Sequence, residues 1–447
     1  MSSNQSVAVT SPAIAPERNL AARATAWSLF VLVAVNILNF YDRQVPGALA
    51  EPVRKEFGLS DTQLGLIGTM FTVVYALVGL PLGRLADRGS RKKMLSWGIA
   101  IWGGLTALGA AARNFSMLLF SRLGVGVGEA TCAPAATSWI GDLFPAERRS
   151  RPLALFMLGV PVGGALSFFF SGPVAKAYGW RAATVLAAIP ALILVPLVMM
   201  LKEPARGASE AHNEDAGSIW QVLQIRTFWW IFASGALVNF NLYAIGTFLP
   251  AFFSRIHKMN VSEASLTTGI VYGIGGVLGG LVAGFWGDSI VRKRADGRML
   301  SAALAALFAA PLAYFGILQS HGAISTALPL LTVAYGFLNM YYGLVYASIQ
   351  DLVAPAQRGT TMAVYFLVQY LGGASFGPLL LGTLSDHMAH KAAVAAGSQV
   401  ITEASRATGL HQAMFVIPVL SLCLAVVLWA GSRTITADVE RRRASAA

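Results

Sequence analysis

The stretch GRLADRGSRKK, residues 83–93, decides the fold, because residues 284–294 read GFWGDSIVRKR. Both give a glycine, three residues, an aspartate and then a basic run, and each lies between two long apolar segments. A second pair follows: IGDLFPAERR at 140–149 and IQDLVAPAQR at 349–358 set Asp142 and Asp351 at equivalent points. Gly163-Gly164 and Gly372-Gly373 keep that register one apolar segment later. The offsets are 201 residues for the first pair (83 to 284) and 209 for the others (142 to 351), so the chain holds two similar units. Internal duplication in an apolar chain is the mark of many secondary transporters.

Around these loops the 447 residues are 55% hydrophobic and 12% charged, with a mean hydropathy of +0.61. Soluble domains carry about a quarter charged residues, so the composition is that of a polytopic membrane protein. A spanning helix needs about 20 apolar residues. Twelve such runs can be read, from 25–49 to 412–432, six in each unit. The expected fold is therefore an all-α membrane protein of twelve transmembrane helices in two pseudo-symmetric six-helix bundles. A disordered cytoplasmic tail is expected over 1–24, an N-terminal bundle over 25–201 and a cytoplasmic linker over 202–227, where IWQVLQI could form an interfacial helix. A C-terminal bundle over 228–433 and a basic cytoplasmic tail over 434–447 follow. Residues 1–22 lack the apolar core of a signal peptide.

Of the 33 lysines and arginines, 22 fall on the side of the termini, 9 on the opposite side, and two, Arg43 and Arg122, inside helices. Basic residues concentrate on the cytoplasmic side, so both termini are expected there, in a cell inner membrane. The net charge of +12 then reflects topology and calls for no nucleic-acid partner. Cys132 and Cys423 both lie in apolar runs and suggest no disulfide framework.

The stretch NFYDRQVP, 39–46, puts Asp42 and Arg43 near the outer end of the first run. Arg122 enters the fourth run to a similar depth, and Glu129 lies nearly two turns further on the same face, about 10.5 Å along the axis. Buried charges cost several kcal/mol and so face a cavity or a partner. Arg122 can serve as counter-ion to Asp42, to Glu129, or to each in turn. A carboxylate among GVGVGEATCAP could exchange a proton near neutral pH, releasing Arg122 when protonated, which makes Asp42 and Glu129 the candidates for proton coupling. The alternative is a structural pair of salt bridges that locks the first unit. Arg43 either lines the cavity or reaches toward the outer interface.

The second unit has no Asp, Glu, Lys, Arg or His within its runs until their ends. Its candidate binding residues are Asn239, Tyr243, Asn339, Tyr342, Gln369 and Tyr370, among dense aromatics. One charged and one aromatic half-cavity suit an amphipathic substrate, with its headgroup on Arg122 and its tail against helices 7, 10 and 11. Single aromatics are equally well explained as facing lipid.

These loops resemble the G-x-x-x-D-R-x-G-R-R loop of the major facilitator superfamily. Gly83, Asp87, Arg88, Arg91 and Lys92 match, the second glycine comes one place early at Gly89, and Ser289 replaces the arginine of the second copy. NFYDR followed by EFGLSDTQLGLIGTMFTVVYALVGLPLGRLADR, with the helix-4 string SRLGVGVGEATCAPAATSWIGDLF, is similar to the Spinster group, including bacterial-type homologues. That resemblance implies a proton-coupled carrier of lysolipids or sphingosine-phosphate-like molecules, working by alternating access. The anion:cation symporter group shares a related aspartate-arginine pair and an R-x-x-x-G-x-x-E string, and implies sugar acids or aromatic acids instead.

Gly83, Asp87, Arg88, Arg91 and Asp142 are expected to form a cytoplasmic gate. The expected partners are a small-molecule or lipid-like substrate, protons and membrane lipid, with the chain acting as a monomer and holding no cofactor or metal. HMAHK, residues 387–391 just past the eleventh run, has metal-compatible spacing alone. GVGVGEA lies inside a spanning run with no preceding strand, so it is no phosphate cradle, and no nucleophile elbow or other enzyme signature is present.

Overall fold

The computed structural model describes residues 14–145, 148–205, 222–353 and 357–446, all of whose secondary structure is helical. The first group of helices is α1 (Ile14–Ala48), α2 (Ala50–Phe57), α3 (Asp61–Arg88), α4 (Arg91–Ala110), the broken pair α5 (Phe115–Glu129) and α6 (Cys132–Leu143), α7 (Ser150–Met157) and α8 (Gly159–Met200). The second group is α9 (Arg226–Ile256), α10 (Val261–Ile270), α11 (Gly276–Val291), α12 (Gly297–Leu318), α13 (Ile324–Leu352), α14 (Arg358–Gln369), α15 (Phe376–Ala395), α16 (Glu403–Met414) and α17 (Val416–Ala446). Wide π turns at Val271–Gly275 and Tyr370–Ala374 join α10 to α11 and α14 to α15.

Among the described residues, nine helices are long and apolar enough to cross a membrane. One of them, Arg151–Met200, has 50 residues, about 75 Å if straight and more than twice a bilayer core. It turns at Gly179, whose φ of 84° and ψ of 162° leave the helical region. A side chain there would be strained, so the glycine permits two limbs. Side-chain caps cluster at one end of the molecule, where Ser60, Asn114, Asn260 and Thr402 each accept a backbone N–H from the first turn, while Ser90 caps α4 at the other end.

Two segments expected as tails are helical. α1 begins at Ile14, within the expected disordered stretch 1–24, because ERNLAARA is rich in strong helix formers. α17 runs through 434–446, where Asp438 accepts from the Thr227 amide at 3.1 Å and hydroxyl at 2.7 Å and so docks the extension onto α9. Of the interfacial helix expected at 219–225, residues 219–221 lie outside the described residues, and 222–225 hold only a short helical turn before α9.

The two groups fuse at the capped end. One apolar core runs through both, from Val45, Leu49 and Leu64 to Phe248, Phe252 and Leu381. A second core, Val31 to Leu201, stays within the first group. Glycines let backbones touch across the groups: a Cβ at Gly47 would sit 2.2 Å from the Gly246 carbonyl oxygen, and one at Gly65 2.2 Å from that of Pro378. The Arg255 guanidinium donates to both Asp61 oxygens at 2.7 Å and to Glu51 at 2.7 Å. Arg54 donates to Glu403 at 2.7 Å, and Asp386 accepts from the Asp61 and Thr62 amides at the start of α3.

At the opposite end, ion pairs stay within one group. Arg91, 1% exposed, pairs with Asp142 and donates to Glu203 at 3.1 Å. Burial pushes the Glu203 carboxyl up, but Ser90, the Arg91 amide and guanidinium and the Lys92 amide outweigh it and hold the group below the usual range. Arg298 pairs with Asp351 at 2.6 Å in the second group. Among the described residues, the ion pairs that join the groups all lie at the capped end.

Candidate functional site

Asp42 and Arg43 are consecutive on α1, so their side chains leave the helix about 100° apart. They therefore meet different partners. Asp42 turns toward α4 and α5, accepting from the Thr106 hydroxyl at 2.6 Å and from Arg122 at 3.4 Å. Arg43 turns toward the middle of the molecule and donates from Nε to Glu129 Oε2 at 2.9 Å. Asn39, one turn before Arg43, donates to the same Oε2 at 3.2 Å. The second oxygen, Glu129 Oε1, is buried without a partner. All four charged side chains are at most 4% exposed.

Glu129 holds its position through the helix break. It is the last residue of α5, and α6 resumes at Cys132. Gly128 and Gly98 bring α4 and α5 together there: a Cβ on Gly128 would lie 2.8 Å from the Trp102 amide nitrogen. Such breaks at depth are tolerated where they face protein or a cavity.

Aromatic rings hold Arg43. Its guanidinium carbon lies 4.2 Å from the Tyr75 ring centre and 4.5 Å from that of Phe40, a cation–π arrangement. From the second group Tyr370, in its π turn, contacts Arg43 Nη1 at 3.4 Å, and Tyr243 packs edge-on against Tyr370 at 6.1 Å.

The remaining second-group candidates are engaged with one another. Asn239 donates to Gln369 at 3.1 Å and accepts from Tyr342 at 3.2 Å, while Gln369 and Tyr346 also bond. Asn339 donates to the Tyr335 carbonyl of its own helix at 3.0 Å.

A cavity of about 920 Å³, partly open to solvent, lies beside this cluster. Arg43, Gln44 and Arg122 line it on the polar side. The second group contributes only Tyr243, Gly246, Thr247 and Pro378, so the tail wall expected on helices 7, 10 and 11 is mostly absent from it. Asn239, Asn339, Tyr342 and Gln369 do not line it.

Of the expected gate residues, Gly83 faces open space, Arg88 is exposed, and the Asp87 side chain lies outside the described residues. Arg91 and Asp142 bind each other within the first group.

Reading the sequence for charges missed Asn39, Phe40, Tyr75 and Thr106. Asn39 was within reach, since positions 39 and 43 share a helix face. Tyr75 and Thr106 carry no local signal. Arg54 and Arg255 counted there only toward topology, and their acidic partners lie up to 349 residues away.

A family model described as Major Facilitator Superfamily matches residues 32–378. An MFS-type efflux pump of Mycolicibacterium smegmatis is 32% identical over 368 residues, 81% of this chain and 85% of that protein. Protein spinster of Drosophila melanogaster is 28% identical over 388 residues, 84% of this chain and 64% of that protein. The crystal structure of a bacterial homolog to the human lysosomal transporter Spinster, inward-facing and unoccupied, matches with a TM-score of 0.83 at 26% identity. It covers 93% of this chain and 98% of that one.

Proposed function

The chain belongs to the Major Facilitator Superfamily and is a transporter of the Spinster type, and from that premise we propose that it carries an amphipathic, lysolipid-like anion across the inner membrane by alternating access coupled to protons. We read twelve passes in two six-helix bundles, 25–201 and 228–433, in a monomer with both termini cytoplasmic. The capped end is then the outer face, and the arrangement described above is the state closed to the outside.

The observation that carries the reading is the buried set Asp42–Arg122 and Arg43–Glu129. Fully ionised, its charges cancel. One proton on a carboxylate leaves a net positive charge at a guanidinium, which an anionic headgroup neutralises. Glu129 Oε1 has no partner, so it can take that proton while Oε2 keeps its bond from Asn39. Proton and anion then favour each other's binding, and the coupling is reciprocal. Arg122 makes a single long contact at 3.4 Å to Asp42, and its fork suits phosphate or carboxylate oxygens.

Asn239, Tyr243, Asn339, Tyr342, Gln369 and Tyr370 would shape the facing wall, with Tyr243 and Tyr370 nearest the charges. Gly83, Asp87 and Arg88 would meet the second bundle when the cytoplasmic side closes, with Arg91 and Asp142 anchoring that loop. A sugar acid is the weaker reading: it wants polar partners on both sides, and the amides of the second bundle do not line the cavity.

Binding in nanodiscs tests the choice. A lysophosphatidate series should bind more tightly as the chain lengthens, and Arg122→Ala should abolish binding while Arg122→Lys restores little. Flat affinity along that series with tight glucuronate binding would replace the lipid reading with the sugar-acid one.

A further inference from the structure

Resting on the lipid-anion reading, we infer that the aliphatic chain of the substrate is held inside the N-terminal bundle, in the apolar recess outward of Arg122, and not against the aromatic wall of the C-terminal bundle. The geometry begins on α5. Leu118 and Arg122 are one turn apart and share a face, and both line the cavity. Moving outward from the arginine, the walls become Leu49 and Val53 at the α1–α2 corner, Leu64 on α3, and Trp180 just past the Gly179 turn. All are at most 6% exposed. Apolar walls and two cations thus share one cavity.

The corresponding space in the C-terminal bundle differs. It amounts to about 340 Å³, with Ile245, Leu249, Ala313, Leu331 and Met414 among its walls and Tyr335 as its sole polar-tipped side chain. It has nothing to hold a headgroup. The tyrosines of that bundle, Tyr341, Tyr342, Tyr346 and Tyr365, bond to Ser234, Asn239, Gln369 and one another. A chain laid on that wall would meet hydroxyl groups already committed to partners. In the N-terminal recess water finds few polar partners, and such sites favour apolar occupants.

Trp180 closes the outer end. Its indole N–H donates to Glu56 at 2.5 Å, and Arg181 pairs with the same carboxylate at 2.6 Å. These groups cover the recess toward the outside in this state, which puts the mouth for an entering substrate on the side of the arginines. A single-chain anion entering from that mouth would lead with its tail and stop with its headgroup at Arg122.

The test measures binding of octanoyl, dodecanoyl and hexadecanoyl lysophosphatidate, and of glycerol 3-phosphate, to the full chain in nanodiscs. Leu118→Trp should fill the recess and weaken hexadecanoyl binding about tenfold, the loss of roughly two buried methylenes, while glycerol 3-phosphate binding stays unchanged. Leu118→Ala should move the best-binding chain length upward. If Leu118→Trp does not fold, the alanine variant decides alone. Wild-type preference for longer chains that neither change alters, with loss on Tyr342→Ala instead, would overturn the placement in the N-terminal bundle. No chain-length preference in the wild type would instead remove the lipid reading on which the placement rests.

Discussion

The two bundles agree at their edges and differ in their middles. Arg91–Asp142 in the first is answered by Arg298–Asp351 in the second. A Cβ on Gly163 would lie 2.3 Å from the Ile37 carbonyl oxygen, and one on Gly373 2.1 Å from that of Ala236, so the fifth helix of each bundle presses on the first in the same way. At mid-depth, however, the N-terminal bundle buries Asp42, Arg43, Arg122 and Glu129, and the C-terminal bundle buries tyrosines and amides. Positions that set loop and helix packing are needed equally by both halves. A buried charge must find a partner or a role, and once one half holds the full set, a second set would add desolvation cost with no further gain.

The largest effect should separate the ends of the molecule. Arg255→Ala leaves Asp61 buried without its cation and Glu51 with Arg54 alone, a cost of about 3–5 kcal/mol, borne by the outside-closed state. A cysteine at Thr247, in a chain lacking Cys132 and Cys423, should then label faster from the outer side. Arg298→Ala, whose ion pair lies within one bundle, should leave that labelling unchanged. Equal labelling in the two variants would mean that the capped end is not the closed gate.

Next comes the contrast between the middles. Glu129→Gln and Asp42→Asn should each lower proton-driven uptake by more than about tenfold, or 1.4 kcal/mol, with counterflow better preserved in at least one of them. Asn239→Leu or Gln369→Leu should cost only a few-fold. Full pH-driven accumulation in both carboxylate variants would make the charges structural and place the proton elsewhere.

A smaller effect should appear where the bundles touch at the charges. Tyr370→Phe removes one 3.4 Å bond from the Arg43 guanidinium, and although its donor is charged, its length is beyond the usual range, so it contributes about 1 kcal/mol. Uptake should fall a few-fold with little change in thermal stability. A loss as large as that of Glu129→Gln would mean that the aromatic wall takes part in coupling directly.

The smallest concerns Glu56, whose bond from the Trp180 indole, with Arg181 beside it, holds its carboxyl below the usual range. A depressed carboxyl contributes stability above its unfolded value, about 4.3, and loses it as pH falls through the folded value. Glu56→Gln should therefore lower the melting temperature slightly at pH 7 and by less at pH 3. A difference that persists undiminished at pH 3 would assign the effect to packing. The side chain is 41% exposed, so solvent screens it and the shift should be small.

The sequence by itself determined the membrane class, the duplication and the identity of the charged set, because apolar run length, basic loops and buried ionisable residues are all local features. Asp42, Arg43, Arg122 and Glu129 were legible as a cluster on those grounds. Only the tertiary structure decided which carboxylate belongs to which arginine, because that depends on a turn of about 100° between adjacent residues of α1 and on the helix that each then faces. The ion pairs that join the two groups at the capped end were equally hidden: Arg54 and Glu403 meet across 349 residues, and no helical period connects them. The same holds for the recess beside Arg122. Its walls come from α1, α2, α3, α5 and α8, and each apolar residue there looks, in the sequence, like any other in a membrane helix.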